Sequence, residues 1–225
     1  MRRPLLSHPR QERFTLSTPE PALADIPHQP APTLAVVEED VATGAVAKAY
    51  ADYRTRFGRE HVPGILKCFA THPPLLEQML AIASNLLFVE GHLTRRTKEM
   101  IATYVSALNA CPYCLDSHAS FLHQQGGSKE LLLALFTGDL TSPSITGKER
   151  SLLNFVAKVT DESYKISRDD IASLQDAGWR EPQIAETVHI TALFACFNRV
   201  ANTFGLASQQ LFDLDLSHAR TEENA

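Results

Sequence analysis

Two cysteines three residues apart, Cys111 and Cys114, stand in this chain with His118 four residues beyond the second and Glu99 twelve before the first. Thiols at that spacing can close a disulfide or hold a metal. An imidazole one turn further on can take or return a proton, and a carboxylate can serve as a second proton carrier. Thiol, imidazole and carboxylate together suit redox chemistry in which a thiolate is made on demand.

The elements that position these groups follow from their neighbours. Asn109 tolerates the left-handed conformation and can end the preceding helix. Cys111 then falls at the N-cap of the next helix and Pro112 at its first position, where a missing N–H costs nothing. Unpaired backbone N–H groups and the helix dipole favour a thiolate there. Positions 111, 114, 115, 118 and 122 share one helix face, which makes Cys111, Cys114 and His118 neighbours. His118 can exchange a proton with Cys114. Glu99 lies one helix upstream and reaches the thiols if the two helices pack antiparallel. Cap electrostatics favour Cys111 as the more acidic thiol, whereas contact with His118 favours Cys114.

The rest of the pattern is helical. Val46, Ala49, Tyr50, Tyr53 and Phe57 repeat at helical spacing up to Gly58. A second stripe runs from Leu75 to Leu87 after Pro73-Pro74. Thr94 caps a third helix with Ile101, Tyr104, Val105 and Leu108 on one side. Ser128 caps a short helix, Thr146 to Glu149 has the capping-box form, and Ser167 starts a helix closed by Gly178. Ile184 to Phe204 is apolar nearly all round, which predicts a central helix buried on several sides or in a subunit interface. No alternating strand run with turn dipeptides occurs. A thioredoxin-type site would follow a strand, and none precedes Cys111. The fold class is all-α.

The chain has 225 residues, 44% of them hydrophobic, with a formal net charge of −5. That supports one compact domain and argues against nucleic acid, which calls for a basic stripe. No apolar run reaches the roughly 18 residues needed to cross a bilayer, so no membrane partner is expected. Four cysteines without a secretory segment point to a reducing, cytoplasmic setting, where a CxxC is catalytic or metal-binding rather than structural. Arg2, Arg3, Arg10 and Arg13 make the start mildly basic, but Glu12 and the prolines break any targeting helix. Residues 1–33 carry seven prolines and few apolar side chains and read as a disordered arm. Residues 34–216 form the helical domain and 217–225 a frayed tail.

Other readings of the pair are weaker. Zinc would need a second Cys/His pair at finger spacing, and haem attachment would need a His at position 115, which is Leu. Neither a metal nor another cofactor is expected. Cys68 and Cys196 sit among apolar neighbours and read as packing residues. Arg199, in the apolar last segment, needs a carboxylate partner, and Glu99 is one candidate. His123 points off the thiol face, His189 reads as a core histidine, and Trp179 reads as a turn anchor.

At Glu99-Met100-Ile101, at Asn109 to Cys114 with His118, and at Phe197 to Asn202, the chain resembles the carboxymuconolactone decarboxylase / alkyl hydroperoxidase D family, in its peroxidase-related branch. The likeness covers about residues 40 to 207. It implies an alkylhydroperoxidase D-like helical bundle that assembles as a homo-oligomer, a trimer or hexamer. It also implies peroxidase chemistry without haem or metal, acting on a hydroperoxide substrate. By position, Cys114 is implied as the attacking thiol, Cys111 as the resolving thiol, and Glu99 with His118 as the proton relay. A dithiol or thioredoxin-like reductant would reopen the disulfide. The family pattern has a His just before the second Cys, and Tyr113 stands there. Two other functions fit the same residues: a redox-sensing oligomer, or a cofactor-free decarboxylase or isomerase using Glu99 and His118 alone.

Overall fold

The computed structural model describes residues 32–212 and is all-helical there. The helices are α1 (Gly44–Phe57), α2 (Gly64–Phe69), α3 (Pro73–Ile82), α4 (Arg95–Leu108), α5 (Pro112–Gln124), α6 (Lys129–Thr137), α7 (Gly147–Glu162), α8 (Arg168–Asp176) and α9 (Glu181–Phe204). A π-helical turn, Ala83–Leu87, extends α3, and a 3₁₀ turn, Ser163–Lys165, follows α7. The predicted arm, save its last two residues, and the predicted tail lie outside the described residues.

The helix signals in the sequence act as expected. Thr94 accepts from the Thr97 N–H and Ser128 from the Leu131 N–H. Thr146 with Glu149, and Ser167 with Asp170, form complete capping boxes. Gly58 closes α1 in the left-handed conformation, φ 61°. The Trp179 indole donates to the Lys148 carbonyl, as a turn anchor should.

Helix α9 is buried on several sides, as expected, but the most deeply buried helix is α4. Every residue from Lys98 to Ser106 is buried. Met100, Ile101 and Val105 pack with Leu131, Leu132 and Leu135 of α6, Leu152 and Val156 of α7, and Ile190 and Phe194 of α9. A second cluster joins α1, α2 and α3 through Tyr50, Leu66, Phe69 and Leu76 to Leu193 and Phe197 of α9. Helix α9 therefore clamps both clusters. It keeps one exposed face, Ala185, His189, Ala192, Cys196 and Arg199, at helical spacing.

Burying residues 98–106 of α4 buries its polar side chains, and among the described residues none is left without a partner. Lys98 donates to the carbonyls of Leu86 (2.7 Å) and Val89 (2.9 Å) and pairs with Glu186 at 2.7 Å. The other Glu186 oxygen accepts from the Leu93 N–H at 2.7 Å. Gly91 passes so close to this pair that a Cβ there would collide with the Glu186 carboxylate. An ion pair this buried holds only because every donor and acceptor is used.

Candidate functional site

The turn from α4 to α5 places the thiols. Ala110, not Asn109, takes the left-handed conformation, φ 46°, while Asn109 has φ −87°. That conformation costs a non-glycine residue on the order of 1–2 kcal/mol. Hydrogen bonds over-determine it. The Cys111 N–H donates to the Ser106 carbonyl at 2.9 Å, and the Asn202 amide donates to the carbonyls of Asn109 and Ala110 at 3.2 and 3.3 Å. Cys111 is the N-cap of α5 and Pro112 its first residue.

Asn198 supports the same turn from α9. Its side-chain oxygen accepts from the Asn109 amide at 3.0 Å, and its own amide donates to Ser106 Oγ at 3.0 Å. That amide also favours the charged form of both sulfurs. The segment Phe197 to Asn202, noted above only for its family likeness, is thus the brace of the thiol turn.

The two thiols are free and buried, and they differ in acidity. Cys111 lies below the ordinary thiol range: it accepts a hydrogen bond from Cys114, burial opposes this, and the N–H groups of Cys114 and Tyr113 and the Asn198 amide add to it. Cys114 lies well above that range, because it donates to Cys111, is desolvated, and faces the Cys111 negative charge. Of the two thiols, Cys111 gives up its proton first.

Access runs the other way. A cavity of about 200 Å³ is lined by Cys114, Tyr113, Ser117 and His118 together with Phe57, Leu80, Leu87, Phe88, Phe121 and Phe197. Cys111, with no exposed surface, is not part of its lining. The π-helical turn supplies Ala83 and Leu87 to the wall, as such turns often do at functional sites. The end of the described chain crosses α5 over the cavity. The backbone N–H groups of Leu211 and Phe212 donate to Asp116 at 3.1 and 2.8 Å, and the Gln209 amide donates to Ser117 Oγ at 3.0 Å.

His118 Nδ1 meets Glu99 Oε2 at 2.6 Å, and Glu99 has no exposed surface. The pairing of α4 with α5 thus brings Glu99 to the imidazole and not to the sulfurs. The other Glu99 oxygen binds the Arg95 guanidinium, one turn earlier on α4. Arg95 also donates to the Leu87 carbonyl and lies 4.9 Å over the Phe88 ring. Phe194 and Phe121 meet the imidazole edge-on, at 4.6 and 5.4 Å between centroids. With Nδ1 given to Glu99, Nε2 is the nitrogen left for chemistry.

Tyr113, where the family pattern has a His, is buried, and its hydroxyl accepts from the Ile65 N–H at 3.3 Å. Burial raises its pKa, so it acts as a wall and not as a base.

Three expectations are corrected. Arg199 is exposed, donates to the Ala195 carbonyl, and makes no ion pair with Glu99. Arg95 holds Glu99 instead, from four residues away, a spacing that could have flagged it. Cys196 is exposed rather than packed. His189 is exposed rather than in the core. Cys68 is buried, and desolvation pushes it up to about 12, which leaves it inert. Among the described residues no group of three or more His, Cys, Asp or Glu side chains is arranged to hold a metal ion.

Comparison with known proteins agrees with the helical fold. Residues 73–138 match the carboxymuconolactone decarboxylase family. An alkyl hydroperoxide reductase of Mycobacterium tuberculosis is 38% identical over 85 residues, 38% of this chain and 24% of that protein. Sestrin-1 of Xenopus laevis is 27% identical over 158 residues, 69% of this chain and 31% of that protein. The chain therefore matches less than a third of the length of either relative. Among solved structures, an uncharacterized peroxidase-related protein with an alkylhydroperoxidase core from Ralstonia eutropha JMP134 superposes with a TM-score of 0.71 at 25% identity, over 81% of this chain and 94% of that one. A peroxidase-related protein from Silicibacter sp. TM1040 gives 0.68 at 26% identity, over 80% and 94%. A debrominase shares the fold, with a TM-score of 0.64 at 16% identity, over 78% and 91%. Its matched segment, residues 73–138, and its fold make the chain similar to the carboxymuconolactone decarboxylase / alkylhydroperoxidase D-like proteins.

Proposed function

We propose that the protein is a thiol-dependent peroxidase with Cys114 as the attacking thiol and Cys111 as the resolving thiol. The observation that supports this best is that Cys114 and His118 line one apolar cavity while His118 is held from behind by buried Glu99. The accessible thiol carries the proton of the pair, so it needs a base, and His118 Nε2 serves. The Cys114 thiolate attacks the O–O bond, taking one oxygen as sulfenic acid and releasing the alcohol as His118 returns the proton to the leaving oxygen. The Cys111 thiolate then displaces hydroxide from the sulfenic sulfur. A proton from solvent makes it water, and a disulfide remains. A dithiol or thioredoxin-like donor supplies two electrons and two protons, one proton returning to Cys114 and the other to solvent.

Homo-oligomeric assembly, as a trimer or hexamer, and a reducing cytoplasmic setting belong to the same proposal. Among the described residues no helix is long and apolar enough to cross a membrane.

The test is sulfenic-acid trapping with dimedone after a stoichiometric pulse of hydroperoxide. Cys111→Ser should give an adduct on Cys114, because its sulfenic acid has no resolving partner. Cys114→Ser should give no adduct on Cys111 and should abolish dithiol-dependent peroxide consumption. Consumption at the parent rate by Cys114→Ser would overturn the assignment.

A further inference from the structure

The cavity at Cys114 holds a charged group that the thiol chemistry does not use. The walls are aromatic and apolar, and no Asp or Glu is among the residues lining it, although the chain carries a net charge of −5. One permanent cation does line it: Arg59, in the turn between α1 and α2. Its guanidinium carbon lies 4.9 Å over the Phe121 ring centroid. The same ring meets His118 edge-on at 5.4 Å. Arg59 and the imidazole thus flank a single aromatic ring.

Arg54, five residues earlier, is paired with Glu39, whereas Arg59 has no carboxylate in ion-pair reach among the described residues. A guanidinium fork matches a carboxylate in bidentate fashion. The volume of about 200 Å³ equals the liquid space of roughly seven waters. That is far more than hydrogen peroxide fills, and it suits a small organic body.

We propose that the substrate is a small organic hydroperoxide bearing a carboxylate. The anion sits at Arg59, the apolar body lies along Phe121 and Phe88, and the O–O bond reaches Cys114. The proposal rests on the peroxidase reading of this site. Arg59 is exposed, so water competes for the anion, and the preference should be about tenfold, the worth of one charge-assisted hydrogen bond.

The test compares cumene hydroperoxide with its para-carboxylate in dithiol-driven turnover, for the parent, Arg59→Gln and Arg59→Lys. The parent should favour the carboxylate about tenfold in kcat/KM. That ratio should fall to about one in Arg59→Gln, stay partly in Arg59→Lys, and shrink in added salt. A ratio near one in the parent, or an unchanged ratio in Arg59→Gln, overturns the proposal and leaves the peroxidase reading standing. If folded parent consumes neither compound, the peroxidase reading fails, and calorimetry with unreactive para-isopropylbenzoate decides the rest. Binding that weakens about tenfold in Arg59→Gln upholds the carboxylate site, and absent or unaltered binding overturns it.

Discussion

Replacing Glu99 by Gln tests the relay at its most buried member. Glu99 has both oxygens in use: one takes the Arg95 guanidinium and the other meets His118 Nδ1 at 2.6 Å. An arginine can only donate, and beside a carboxylate Nδ1 carries the ring proton. A glutamine offers one oxygen and one NH₂ group, so it can accept from only one of its two partners. The charged Arg95 should win the oxygen, since hydrogen bonds to an ionised donor are about twice as strong as neutral ones. The NH₂ group then faces His118, which can accept it only by moving the ring proton from Nδ1 to Nε2. An imidazole in that tautomer has no lone pair left to receive the Cys114 proton. Loss of a positioned base costs about 10²–10⁴ in rate. The assay is kcat/KM for hydroperoxide consumption with excess dithiol, alongside nitrogen NMR of the His118 ring and urea denaturation to show that the variant folds. A folded variant within about threefold of the parent would refute the relay. One that lost activity but kept the proton on Nδ1 would refute the tautomer step.

Two further predictions concern the frame around the site. Lys98→Met leaves the buried Glu186 carboxylate without its cation and should cost about 3–5 kcal/mol in urea denaturation at neutral pH; a loss under about 1 kcal/mol would show the pair to be dispensable. Burial raises the Glu186 carboxyl, but the Lys98 hydrogen bond, the Leu93 N–H and the Lys98 charge outweigh it, so its folded pKa is lowered. Its stabilisation is therefore complete above the ordinary carboxylate range and fades as pH falls through the folded value. The variant should have a shallower acid-side stability slope than the parent. Asn198→Ala removes a donor that lowers both sulfurs. Thiolate absorbance should then appear at higher pH than in the parent, and an unmoved titration would show that the Asn198 amide is not felt by the thiols.

Much of the fold was legible because the punctuation was local. Thr94, Ser128, Thr146 and Ser167 cap their own helices by contacts three residues away. The thiol helix was legible for the same reason, since Cys111 and Pro112 announce its first turn. What could not be read was which helix lies in the middle. Polar residues in α4 look like a solvated face until each is seen to have a partner on another element, as Lys98 has in Glu186 and Asn198 supplies to Ser106. The apolar run of α9 is buried on several sides, yet Ala185, His189, Ala192, Cys196 and Arg199 leave it one exposed face. Glu99 was legible as a candidate beside the thiols, but its tie to Arg95 rather than Arg199 depends on which way α9 turns its cation.

The division between the thiols gives the proposed relay its purpose. The hydrogen bond from Cys114, with the N–H groups of the helix N-terminus, makes Cys111 the better anion, yet Cys111 is sealed from the cavity. Cys114 faces the cavity, yet its proton is held by burial and by the neighbouring negative sulfur. Were acidity and access joined in one residue, His118 would have little to do. Because they are split, attack requires moving one proton off Cys114, and the group in the same cavity able to receive it is an imidazole fixed by a buried carboxylate. In the proposed cycle the same split prepares the second step: the more acidic sulfur, Cys111, is the one that must close upon the sulfenic acid at Cys114.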